Sequence, residues 1–183
     1  AAAATCGNVL VKNVIPKHME AVTAKMREMG VEIIEEDNGI RVIGKENIKG
    51  CKVKTLPYPG FPTDLQAQFM LLAARAEGSS VITENVFENR FMFAAELGRM
   101  GADITIEGHH ALVRGVKGLQ GAPVSATDLR AGAAIVLAGI SAEGETRVHH
   151  IEHIDRGYED YVGKLVSLGA DVRRAPADVP VSC

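Results

Sequence analysis

The segments "MREMGVEI" (26–33), "LGRMGADI" (97–104) and "LVSLGADV" (165–172) are variants of one pattern: a helix end, a glycine, and entry into an extended run. Their glycines, Gly30, Gly101 and Gly169, fall about 70 residues apart, and a fixed period narrows the folds open to a chain more than any single motif. Each glycine reads as a helix C-cap, where a left-handed backbone favours a residue without Cβ. Other landmarks keep nearly the same period. "AEGSSVI" (76–82) matches "AEGETRV" (142–148), "PTDL" (62–65) matches "ATDL" (126–129), and Arg90 matches Arg156. One unit therefore reads strand, Thr-Asp, helix, Glu-Gly, strand, Arg, helix, Gly-Ala-Asp, strand, strand. That is a βαβαββ unit, and the fold class is α/β (α+β).

The first and last copies are incomplete. "TCGNVLV" (5–11) aligns with "AEGSSVI", so Ala1–Ala4 stand where a helix tail belongs, and the third copy stops after "GADV". The chain is expected to be part of something longer. The pattern predicts strands over 8–14, 31–36, 39–44, 79–84, 103–107, 110–114, 145–151 and 170–173. It predicts helices over 16–29, 63–77, 88–100, 127–142 and 156–168. One domain over 1–174 and a weakly structured tail over 175–183 complete the reading.

Hydrophobic residues make up 46% of the chain and aromatics 4%, with no Trp, so the core must be built from Ala, Val, Ile, Leu and Met. A net charge of −3 lacks the basic excess of a nucleic-acid footprint. No apolar run is long enough for a membrane span, and no charged start with an apolar stretch marks a secretory leader. Cys6, Cys51 and Cys183 share no metal-like spacing. An odd count without a leader reads as reduced thiols in a cytoplasmic protein.

In "PYPGFPTDLQAQFMLL" (57–72) a Pro/Gly-rich approach leads to Asp64 at a helix mouth. Thr63 and Gln66 are spaced as a capping box, which makes Asp64 a first-turn acid favoured by the helix dipole. A catalytic base or ligand anchor is the alternative, and the stiff approach, which capping does not require, favours it. Asp128, followed by Arg130, holds the matching place in the next copy. Arg90 and Arg156 are expected to start helices, where a cation opposes the dipole. Either an acid partner such as Asp155 explains them, or both point at an anion that the free N–H groups also attract. "HHIEH" (149–153) alternates faces along a strand, a poor ligand set, so no metal is expected. No phosphate-binding P-loop, C-x-x-C or G-x-S-x-G motif is present.

Together, "PYPGFPTDLQAQFM", "ENVFENRFM", "ATDLRAGAAIVLAG" and "HIDRGYE" resemble the C-terminal domain of the bacterial UDP-N-acetylglucosamine enolpyruvyl transferases, over about Ala1 to Arg174. The resemblance implies an inside-out α/β barrel domain of repeated βαβαββ units, one of two similar domains. It implies transfer of the enolpyruvyl group of phosphoenolpyruvate to the 3-hydroxyl of UDP-N-acetylglucosamine, the first committed step of peptidoglycan synthesis, with no cofactor. It also implies roles. Asp64 is the candidate base at the sugar hydroxyl, and Asp128 is a second acid near the reacting carbons. Val86 makes a backbone contact to the UDP-sugar. Arg90 and Arg156 hold the phosphoenolpyruvate anion, and Arg130 supports the anion site.

Phe93 and Gly132 depart from the His and Ser common in that family, and none of the three cysteines lies in a matching motif. The family's other domain, which supplies the acid and half of the anion site, is the expected partner, and this chain alone is expected to be inactive. Two rivals stand beside this reading: a shikimate-pathway enolpyruvyl transferase domain, and a non-catalytic UDP-sugar or anion-binding module.

Overall fold

In the computed structural model, which describes residues 1–176, the period becomes sheet topology. The middle copy is complete: β4 (Lys52–Lys54), α2 (Gln66–Arg75), β5 (Ser79–Thr83), α3 (Ala94–Arg99), β6 (Asp103–Glu107) and β7 (His110–Arg114). Its sheet runs β4-β5-β7-β6, with β4 parallel to β5 and the other pairs antiparallel. The first copy gives β1 (Asn8–Lys12), α1 (Glu20–Glu28), β2 (Glu32–Glu36) and β3 (Gly39–Ile43), in the order β1-β3-β2. Among the described residues, that is the same sheet without a counterpart of β4. The third gives β8 (Pro123–Ser125), α4 (Leu129–Ile140), β9 (Arg147–His149), α5 (Glu152–Asp155) and α6 (Tyr161–Ser167), with β8 parallel to β9.

Helices α2 and α4 form the centre. Ala67, Phe69, Met70, Leu71, Leu72, Ala73 and Ala74 of α2 are all buried, as are Ala131, Ala133, Ala134, Ile135, Val136 and Ala138 of α4. Small alanines let the two helices lie directly on each other. The sheets turn one face inward, with Val53, Ile82 and Ala111 in register beneath α2. Val11, the counterpart of Ile82 in the first copy, is 46% exposed, because no described helix equivalent to α2 covers that sheet.

The three glycines of the period cap their helices with φ of +93°, +92° and +93°. Other expected elements are shorter than predicted, for local reasons. Residues 88–93 are turns, and α3 starts only at Ala94, because Asn89 adopts a left-handed backbone that a helix cannot contain. Arg90 therefore lies in a turn. The helix expected over 156–168 is divided: Arg156 is the C-cap of α5, and Asp160, at φ +43°, caps a new helix through Gly163 N–H. Positive φ at His150 ends β9, so His153 lies on α5 and shares no strand face with His149. No strand forms over 170–173, where the described residues offer no ladder partner. Most of the expected tail, 177–183 with Cys183, lies outside the described residues.

Two glycines three positions apart give opposite expectations. Gly98 is exposed within α3, and a methyl group added there would meet nothing within 4 Å outside its own helix, so Gly98→Ala is expected to stabilise by about 0.5–1 kcal/mol. Gly101→Ala forces a side chain into φ +92° and is expected to cost about 1–2 kcal/mol. Urea unfolding of the two variants measures both signs.

Candidate active site

The parallel crossover β4–α2–β5 and its counterpart β8–α4–β9 place the starts of α2 and α4 side by side. The chain reaches α2 through a cis Tyr58–Pro59 peptide and a short 3-10 turn, Thr63–Leu65. That turn replaces the expected capping box. Pro62 occupies the N-cap and has no side-chain oxygen, while the Thr63 hydroxyl turns away and donates to Glu84 Oε2 at 3.0 Å. Gln66 is 1% exposed, and its amide finds no hydrogen-bond partner among the described residues. At α4 the matching dipeptide acts differently. Asp128 is itself the N-cap, and its Oδ1 accepts from Arg130 N–H at 2.8 Å and Ala131 N–H at 3.0 Å, a cap worth about 1 kcal/mol.

Because Asp64 does not cap, its carboxylate is available to other partners. Arg130 meets it side-on, with Nε 2.5 Å from Oδ1 and Nη2 donating to Oδ2 at 2.7 Å. Arg90 Nη2 approaches Oδ1 at 3.7 Å. Arg90 is the more enclosed of the two arginines. Its guanidinium lies 4.8 Å above the Phe87 ring centroid, and Nη1 points at Thr63 Oγ1 at 3.4 Å. Half of the Asp64 side chain is exposed, so the pairing with Arg130 contributes about 1 kcal/mol or less to stability after solvent screening. Its value lies in geometry, since a fork from the third copy grips an acid from the second.

Asp128, Arg130 and Arg90 line one small cleft with Thr63, Gln66 and Phe93, whose cavity of about 10 Å³ holds at most one water. A wider cleft of about 330 Å³ shares Arg90 and is walled by Phe87, Phe91, Met92 and Ile106. The Val86 N–H is fixed by Glu84 Oε1 at 2.9 Å beside it.

Four of the six sequence-predicted residues thus come together, Asp64, Asp128, Arg90 and Arg130, while Val86 lies earlier in the loop that carries Arg90 and lines neither cleft. Arg156 is exposed and is not among the residues lining the small cleft. Its expected partner, Asp155, instead receives Arg174 at 2.9 Å and 2.5 Å, and that guanidinium holds the Asp155 carboxyl below its usual range. The turn that carries Arg156 is nonetheless pressed onto α4, because a Cβ on Gly157 would fall 2.7 Å from Leu129 Cδ2.

Glu84 and Tyr158 escaped the sequence reading, and Gln66 entered it only as a capping partner. Glu84, flanked by Thr83 and Asn85, reads as an ordinary polar residue at a strand end, and Gln66 as a helix-start residue, until their side chains are placed. Tyr158 packs on Tyr161, 4.8 Å between centroids, and the Tyr161 hydroxyl donates to the Ala133 carbonyl at 3.0 Å. Burial raises the Tyr158 phenol above its usual pKa, Arg130 lowers it and Asp64 raises it, so this ring senses the ion pair. The cysteines are remote in character: Cys6 is exposed, and burial pushes the Cys51 thiol up to about 11. Among the described residues no group of three or more His, Cys, Asp or Glu is placed to hold a metal, and no helix is long and apolar enough to cross a membrane.

Residues 1–165 match the EPSP synthase family, 3-phosphoshikimate 1-carboxyvinyltransferase. The chain belongs to this family. It is 58% identical over 174 residues to UDP-N-acetylglucosamine 1-carboxyvinyltransferase 1 of Halalkalibacterium halodurans, covering 95% of this chain and 40% of that protein. It is 56% identical to the UDP-N-acetylglucosamine 1-carboxyvinyltransferase of Halothermothrix orenii, over 95% of this chain and 42% of the relative. The chain thus spans about two-fifths of the length of these relatives. Among solved structures, the enolpyruvyl transferase NikO from Streptomyces tendae superposes with a TM-score of 0.79 at 32% identity, covering 85% of this chain and 36% of that one. EPSP synthase from Acinetobacter baumannii shares the fold, with a TM-score of 0.70 at 22% identity over 95% of this chain and 41% of the other.

The electrostatics give a direct test. Asp64 competes with any incoming anion for Arg90 and Arg130. Asp64→Asn removes the competitor, so the variant chain is expected to bind inorganic phosphate about three- to tenfold more tightly than the parent. Calorimetric titration reads the change.

Proposed function

We propose that this chain is the C-terminal domain, over residues 1–174, of a UDP-N-acetylglucosamine enolpyruvyl transferase. In this reading its three copies belong to an inside-out α/β barrel. The observation that carries the proposal is the Asp64 carboxylate paired side-on with Arg130 and approached by Arg90, two arginines that line one cleft with Asp128. A base candidate and two anion-binding forks meet there at adjacent helix starts.

The chemistry follows from that grouping. In the addition step the sugar 3-hydroxyl oxygen bonds to C2 of phosphoenolpyruvate, its proton leaves to a base, and C3 takes up a proton. In the elimination step C3 loses a proton, the C2–O bond to phosphate breaks, and the enol ether and free phosphate remain. Asp64 is the base for the hydroxyl. Phosphoenolpyruvate, with its phosphate and carboxylate, draws Arg90 and Arg130 toward itself, and a carboxylate that loses its cationic neighbours becomes a stronger base. Anion binding therefore prepares Asp64 for its task. Asp128 stands near the reacting carbons, the Val86 backbone contacts the UDP-sugar, and Arg156 closes on the anion from the turn after α5. The donor that protonates C3 and the rest of the anion site belong to a second domain, so the lone chain does not turn over.

The high identity to two UDP-N-acetylglucosamine enzymes, against 22% to an EPSP synthase of known structure, favours the amino sugar over shikimate 3-phosphate as acceptor. The reaction would serve peptidoglycan synthesis in the cytoplasm.

A chimera tests this reading, with the chain replacing the matching two-fifths of the Halalkalibacterium halodurans relative. Phosphate release from phosphoenolpyruvate and UDP-N-acetylglucosamine is expected, with a loss of at least about a hundredfold in kcat for Asp64→Ala. A folded chimera without turnover, or one indifferent to Asp64→Ala, would count against it.

A further inference from the structure

Among the described residues Glu84 is the one acid that is almost wholly buried, with 1% of its surface exposed. A carboxylate removed from water needs donors at both oxygens. Oε1 accepts from the Thr55 hydroxyl at 2.8 Å, Val86 N–H at 2.9 Å and Phe87 N–H at 3.1 Å, while Oε2 accepts from the Thr63 hydroxyl at 3.0 Å. These donors belong to three separate places in the chain: the end of β4, the approach to α2, and the turn after β5. The turn carries Val86 and Arg90, and the approach carries Asp64.

The link continues outward. Because the Thr63 hydroxyl gives its proton to Glu84, an oxygen lone pair is left for Arg90, whose Nη1 lies 3.4 Å away. Glu84 thus sets the direction of the hydroxyl that faces an anion-binding arginine, and it fixes the backbone on both sides of the cleft. Nothing in the catalytic scheme requires Glu84 itself.

We propose that Glu84 is a positioning residue, holding Asp64 and Arg90 at their working separation through Thr63 and the Val86–Phe87 backbone. This rests on the enolpyruvyl-transfer reading of the site. Glutamine separates the hydrogen bonding from the packing, since it has the same shape. Its amide oxygen can serve the three donors at Oε1, but its NH2 group then faces Thr63, whose hydroxyl must give up its donor role and turn. The orientation offered to Arg90 is lost while the core stays filled.

In the active chimera, Glu84→Gln is expected to raise KM for phosphoenolpyruvate about tenfold, with a smaller fall in kcat and a melting temperature within about 5 °C of the parent. A purely structural role would lower the folded fraction, and hence apparent kcat, at constant KM. An unchanged KM for phosphoenolpyruvate in the folded variant overturns the proposal. If the parent chimera has no turnover, the reading of the reaction fails separately. Glu84 is then judged by amide hydrogen exchange in the 183-residue chain. Exchange at Val86 and Phe87 at least about tenfold faster in Glu84→Ala, which removes the acceptor that Gln retains, with Leu97 unchanged, supports the anchoring. Equal protection in the two proteins overturns it.

Discussion

Helices α2 and α4 lie against each other on alanine-rich faces, and what the site contains depends on that contact. Each helix follows a short strand in a parallel crossover, so its start must lie at the same edge of its copy. Packing the two helices together brings those edges side by side. Asp64 from one copy then meets Arg130 from the next at 2.5 Å, although the two residues are 66 positions apart. A larger residue in place of the alanines would separate the helices and disperse the charged cluster without touching it.

The repeat generates similarity, and the site arises from where the copies differ. Thr-Asp opens both helices, yet Asp128 spends its carboxylate on capping N–H groups while Asp64 keeps its own for the arginines. The cause is one residue earlier. Pro62 leads into a 3-10 turn that puts Thr63 within reach of Glu84, and the dipeptide is displaced from the capping position. One scaffold thereby yields one acid spent on a helix cap and one left to pair with arginines.

The period and its glycine caps were legible in the sequence, because they rest on local patterns and their spacing. The cap glycines illustrate this: their positive φ follows from the pattern alone. The grouping of Asp64, Asp128, Arg90 and Arg130, by contrast, was expected only from the resemblance of their motifs to a known family. What was not legible involves tertiary partners. Whether Thr63 caps a helix or binds Glu84 depends on a strand 21 residues away. Arg90 and Arg156 were expected at helix starts, but positive φ at Asn89 and Asp160 moved those starts beyond them. Asn and Asp tolerate that conformation well enough that the sequence alone does not distinguish a turn from a continuing helix. Gln66 sits at the start of an apolar run and Glu84 between Thr83 and Asn85, and the burial of both emerges only in the packed structure.

The central claim is that Arg90 and Arg130, from different copies, act on one anion in common with Asp64. Arginine Nε–H resonances of the 183-residue chain, followed by NMR during titration with phosphoenolpyruvate, test it most directly. The account predicts that Arg90 and Arg130 shift together along one saturation curve, while Arg41 and Arg114, held by their own acids, do not move. Separate curves for Arg90 and Arg130, or shifts spread over the surface arginines with these two unmoved, would contradict it.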